Sequence, residues 1–94
     1  MDFSSVHNNH EKTVFAAVAA CAPRYPGVAS DPELLADVAC VALNRLTPHY
    51  IRHSADLAFY ITEKERLACQ RNLDESVEFA FGYVQARHMM AARR

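Results

Sequence analysis

Apolar residues recur along most of this chain at the three- and four-residue spacing of an amphipathic helix, and the breaks in that spacing divide it into elements. The opening "MDFSSVHNNH" has no such pattern, and residues 1–8 are expected to be flexible. From Asn9 or His10, "HEKTVFAAVAACA" sets Val14, Ala17, Val18 and Cys21 on one helical face, with Phe15 beside it. Pro23 and Pro26-Gly27 end that helix. The segment "APRYPGVAS" then reads as a loop, because prolines and a glycine so close together interrupt both helix and strand.

A second helix carries strong start signals. Ser30 precedes Glu33 by the spacing of a capping box, and Pro32 falls in the first turn, where its missing N–H costs nothing. Leu34, Leu35, Val38, Val41, Ala42 and Leu46 form a wide apolar stripe. The stop is expected at Thr47-Pro48, since the residue before a proline is pushed out of the helical region. The next stretch, "HYIRHSADLAFYIT", supports two readings. Ala55, Leu57, Phe59 and Ile61 alternate as in a short extended segment, while Ser54 would cap a helical turn over the same residues. Thr62 and Glu65 repeat the capping-box spacing, and with no proline beyond them a long final helix is expected. On it Leu73, Val77, Ala80, Phe81, Val84 and His88 make one stripe, and Phe79 and Tyr83 project from an adjacent face. The predicted fold class is all-α: mainly helical, with at most one short extended segment, in a single domain over residues 1–94.

Composition narrows the picture. Ninety-four residues suit one hydrophobic core, and with half the residues apolar but only 2 Gly and 4 Pro, turns are few. A final helix greasy on two sides suits a chain that pairs with a copy of itself, so a homodimer is expected. A formal charge of −1 argues against a broad basic face for duplex nucleic acid. Cys21, Cys40 and Cys69 lie on separate segments without a C-x-x-C pair, which gives neither a disulfide framework nor a zinc ribbon. They read as reduced thiols, with Cys21 and Cys40 as small core residues. No apolar run approaches the ~20 residues that span a bilayer, and the N-terminus lacks a secretion signal, so a cytoplasmic protein is expected.

The chemistry concentrates in "ALNRLTPHYIRH", Ala42 to His53. Catalysis is not expected, because no nucleophile motif, Gly-rich phosphate loop or metalloprotease motif is present. The pairs His7/His10 and His49/His53 have spacings that would allow a shared metal on a helix, but one lies in a terminus and the other in a proline turn, so no metal and no cofactor is expected. Arg45, Arg52 and His53 offer charge-assisted donors suited to phosphate, Tyr50 a ring for base stacking, and Asn44 an amide. The plain alternative places the arginines on helix-end carbonyls or on Asp37 and Asp56, with Asn44 capping its own helix.

The run Ala42-Leu43-Asn44-Arg45-Leu46-Thr47-Pro48-His49-Tyr50 resembles the central motif of the late competence development (ComFB-like) family, approximately A-L-N-R/K-L/V-P-P-x-Y. "NNHEKTV" is similar to that family's N-terminal N-x-x-E segment, and the resemblance extends from about Asn8 to the final helix. It implies a small, mainly helical, symmetric homodimer without enzymatic activity. Cyanobacterial relatives act as receptors for cyclic di-GMP and cyclic di-AMP. The resemblance therefore implies a cyclic dinucleotide ligand, with cyclic di-GMP favoured, and a downstream protein partner. Asn44, Arg45, Pro48 and Tyr50 match the motif, and Asn44, Arg45, Tyr50, Arg52 and His53 are the expected ligand-binding residues. Thr47 departs from the motif where many relatives have proline, and the isolated cysteines do not reproduce the zinc-like clusters of some Gram-positive relatives. A protein-interaction adaptor in competence, pilus or motility pathways is the alternative role.

Overall fold

Among the described residues the helical spacing becomes four α-helices, and a small strand pair ties the two ends of the N-terminal half together. The computed structural model describes residues 1–53 and 62–92. Its elements run β1 (His7–Asn8), α1 (His10–Cys21), a 3-10 turn (Ala22–Arg24), α2 (Pro26–Ala29), α3 (Pro32–Asn44), β2 (Tyr50–Ile51) and α4 (Glu63–Ala92). The expectation of a mainly helical domain is met. The alternating residues Ala55, Leu57, Phe59 and Ile61 lie outside the described residues. Extended structure appears instead at β1 and β2, which pair antiparallel in the register His7 opposite Ile51 and Asn8 opposite Tyr50. His7 and Asn8, placed in the segment expected to be flexible, are thus strand residues.

The core lies where α1, α3 and α4 meet. Val14 and Val18 from α1, Val38, Ala39 and Ala42 from α3, Leu46 just beyond it, and Leu73, Val77, Ala80, Phe81 and Val84 from α4 form one buried cluster. Removing each large side chain of this kind from water stabilises the fold by about 1.5–3 kcal/mol, so the cluster dominates the energetics. The stripes read from the sequence supply most of it. His88 is the exception on α4: it belongs to the stripe read from the sequence but is exposed, past Val84, the last buried position of the helix among the described residues.

Four expectations about local structure and burial are corrected. The segment from Ala22 to Ser30 is not an irregular loop: Pro23 and Pro26 each start a helical turn, where a proline needs no donor. Gly27 has no positive φ and sits in α2 as an ordinary helical residue. Tyr25 stacks on Phe81 at 4.6 Å between centroids, and Val28 is buried, so tertiary contacts hold this segment. At the start of α3 the cap is Asp31, whose carboxylate accepts from the Glu33 N–H at 2.9 Å. Ser30 instead closes the preceding turn by donating to the Gly27 carbonyl. The helix also ends at Asn44, before Thr47-Pro48, and Cys40 is exposed rather than in the core. Burial on α3 follows Val38, Ala39 and Ala42, and Cys40, two residues after Val38, is turned about 200° away from it.

The final helix starts where the sequence indicates, with Thr62 Oγ1 accepting from the Glu65 N–H at 3.1 Å. No helix among the described residues is long and apolar enough to cross a membrane.

Candidate functional site

The turn from Arg45 to Ile51 projects from the end of α3, and its shape depends on the residues just before α1. The Asn8 side-chain oxygen accepts two backbone N–H groups, from His10 and from His49, each at 3.2 Å. The Asn9 N–H donates to the His49 carbonyl at 2.7 Å. His10 is buried at 8% exposure, and its Nε2–H donates to the Thr47 carbonyl at 3.0 Å. Backbone groups that a proline turn leaves without helical partners are thereby satisfied from a segment about forty residues away in sequence. Leu46 and Ile51, both buried, fix the two ends of the turn.

His10 and His49 lie ring against ring, with centroids 5.2 Å apart. Burial disfavours the charged form of His10, and His49 adds repulsion; the Thr47 carbonyl opposes both, and the net effect holds the imidazole below its ordinary pKa. The pairing read from spacing is therefore replaced by a tertiary one. His7 lies against the Ser5 carbonyl, His10 faces His49, and His53 is exposed after β2. Among the described residues no group of three or more His, Cys, Asp or Glu side chains is arranged to hold a metal.

A cleft of about 340 Å³ opens between this turn and the first turns of α4. His10, Arg45, Thr47 and His49 form one wall and Glu65, Ala68, Cys69 and Asn72 the other. Its volume falls at the lower end of small-molecule sites, which run about 300–1,000 Å³. Of the five expected ligand-binding residues, Arg45 lines it among the described residues. Its guanidinium carbon sits 3.9 Å from the centre of the Phe79 ring, a cation–π contact that holds it at the α4 side of the turn rather than on Asp37.

The other four surround the same turn. Asn44 is the last residue of α3 and is exposed. Tyr50 is exposed at 64% while Ile51 next to it is buried, so Tyr50 and Arg52 flank an inward residue and face outward. His53 follows them, also exposed. Asp56, a suggested partner for the arginines, lies outside the described residues. The sequence did not single out Asn8, Glu65, Asn72 or Cys69 for this region. Asn8 had a signal, as the first residue of the N-x-x-E segment; the three α4 residues had none, since only the packing of α4 against the turn brings them in.

A larger groove of about 420 Å³ runs between α3 and the far end of α4, lined by Leu34, Asp37, Cys40, Tyr83, Arg87 and His88 among others. None of the five expected residues borders it.

These features define a class: a small, mainly helical domain whose chemistry is carried on a hydrogen-bonded turn at the edge of its core. Residues 7–88 match the family model described as late competence development protein ComFB, and the chain belongs to that family. The matched span contains β1, the Ala42–Tyr50 motif and the cleft. No curated protein and no solved structure matches the chain.

Proposed function

We propose that this chain is a non-enzymatic, cytoplasmic receptor that binds a cyclic dinucleotide, cyclic di-GMP in preference to cyclic di-AMP, as a homodimer and signals through a protein partner. The observation that carries the reading is the placement of the cations. Arg45 and Arg52 lie at the two ends of one tied turn, exposed, and neither has an ion-pair partner among the described residues. Such forked donors suit phosphate oxygens. Tyr50 and His53, exposed on the same segment, supply surfaces for a base, and Asn44 an amide for a base edge or for the turn. Family membership adds support through the receptors among cyanobacterial relatives. A two-fold ligand suits a two-fold dimer, because the same donors meet each half.

Calorimetric titration of purified, nucleotide-free protein with cyclic di-GMP tests this, with cyclic di-AMP and linear di-GMP as controls. Saturable binding of a cyclic dinucleotide is expected, at one per dimer or one per chain. Arg45→Ala and Arg52→Ala are each expected to weaken it about tenfold or more with little change in melting temperature. Absence of heat from a folded sample with every ligand overturns the reading and leaves the adaptor role.

A further inference from the structure

Two imidazoles meet on the turn side of the cleft, and they are not equivalent. His10 is buried at 8% exposure, and because a carbonyl only accepts, its contact with the Thr47 oxygen at 3.0 Å fixes the ring proton on Nε2. Burial and the neighbouring ring both disfavour a second proton there. His49, 5.2 Å away between centroids, is half-buried, and its hydrogen bonds among the described residues are made by its backbone alone, to Asn8 and Asn9. Its ring lines the cleft beside Arg45 and Thr47, so the turn presents three side-chain donors on a wall that carries no carboxylate.

We infer that His49 is the proton-carrying residue of the anion site: it takes up a proton when a phosphate enters the cleft and pairs with that phosphate beside Arg45. This rests on the receptor reading above and adds to it a residue and a pH dependence. A space of about 340 Å³ is roughly 9 Å across, about one Debye length at physiological salt, so a charge inside it acts on the whole wall. An imidazole whose ring has no partner gains a charge-assisted bond by accepting the proton. His10 is unsuited to the role, since its ring is buried behind the first charge. The other titratable or charged side chains facing the pair are Arg45 on the turn and Glu65, Arg66 and Cys69 on α4. The arginines oppose a proton on His49, but Arg66 is already paired with Glu63 at 2.6 Å. Glu65, on the far wall, repels an entering anion and favours the proton, which ties the two events more closely.

The test is calorimetric titration of the intact protein with cyclic di-GMP at neutral pH in buffers of different ionisation enthalpy, which counts the protons taken up. Phosphodiesters have no second proton to lose, so any uptake belongs to the protein. About half to one proton per engaged chain is expected, with affinity rising about tenfold from roughly pH 8 to 6. His49→Gln keeps both backbone bonds of that residue and an amide donor, so it is expected to abolish the uptake and the acid gain with little change in affinity at the alkaline end. His10→Gln is expected to keep the uptake. In parallel, sulfate, whose charge is constant over this range, is added to nucleotide-free protein while the imidazole C–H resonances are followed through a pH titration. It is expected to raise the midpoint of His49 and leave that of His10. Binding of cyclic di-GMP without proton uptake, or with uptake intact in His49→Gln, overturns the assignment while the receptor reading stands. A raised His49 midpoint in sulfate without any binding of cyclic di-GMP keeps the anion site and removes the receptor reading. Neither response removes both.

Discussion

The two halves of α4 make opposite uses of one continuous helix. From Leu73 to Val84 it buries Leu73, Ser76, Val77, Ala80, Phe81 and Val84 against α1 and α3. From Glu63 to Asn72 it buries none of its residues, and that half carries Glu65, Cys69 and Asn72 past the Arg45–Ile51 turn. One half is anchored by apolar area; the other is held straight because it continues from the first. A helix fixed at one end is a precise way to position polar groups that have no packing of their own. The turn across the cleft is held differently, by a few directed hydrogen bonds from Asn8, Asn9 and His10.

That contrast predicts a gradient of mutational effects. Phe81 is fully buried and stacks on Tyr25, so Phe81→Ala is expected to cost about 3–5 kcal/mol in urea unfolding. Leu67, 58% exposed on the first half of the same helix, should change stability by no more than about 0.5 kcal/mol when replaced by Ala. Comparable losses at the two positions would mean that the outer half is packed against something of its own. Asn8→Ala falls between them, since it leaves the N–H groups of His10 and His49 without their acceptor, at about 1–3 kcal/mol for partly buried donors. Nucleotide affinity is expected to fall with it, because the loss loosens the turn that carries Arg45 and Tyr50. Loss of stability with affinity intact would show that the turn keeps its shape without Asn8.

The same contrast explains what could be read in advance. Apolar periodicity marks α1, α3 and α4, since their buried faces are set by local spacing and each helix is long enough to show it. Periodicity does not mark α2 and the 3-10 turn: their prolines stand at first-turn positions, and Tyr25 and Val28 draw them onto α4. The strand pair joins segments about forty residues apart, two residues from each, too short to alternate visibly. The motif residues lie on the tied turn that borders the cleft. Its neighbours Glu65, Cys69 and Asn72 come from a helix whose nearness to that turn is a matter of tertiary packing alone. The paired histidines make the same point: His10 meets His49, and neither meets the histidine closest to it in sequence.

A smaller effect separates the two regions by pH. The folded pKa of His10 lies below its ordinary value of 6.5, so the unfolded chain takes up that proton first as the pH falls. The stabilising contribution is intact above 6.5 and is lost as the pH drops through 6.5 toward the folded value. Melting temperatures measured between about pH 7.5 and 5 should therefore decline toward acid. In His10→Gln, whose amide can still donate to the Thr47 carbonyl, the decline is expected to be shallower. A slope unchanged in that variant would assign the proton uptake to another group.

The smallest effect concerns the outer face of α4. Gly82 lies on it with Phe79 and Tyr83, at the spacing of helical neighbours, and an added Cβ would meet nothing within 4 Å. Nothing in the described part of its own chain requires a glycine there, yet glycine in a helix interior costs about 0.5–1 kcal/mol relative to alanine. Gly82→Ala is therefore expected to raise the melting temperature by a few degrees, about 4–8 °C per kcal/mol in a domain of this size. Sedimentation over a range of concentrations then asks what the glycine is for. If a second copy packs on Phe79 and Tyr83, the added methyl group stands between the helices, and self-association weakens while the single chain becomes more stable. If association is unchanged, the copies meet elsewhere, and the stacked pair of Phe79 and Tyr83 serves chiefly as the ring platform that holds Arg45 at the cleft.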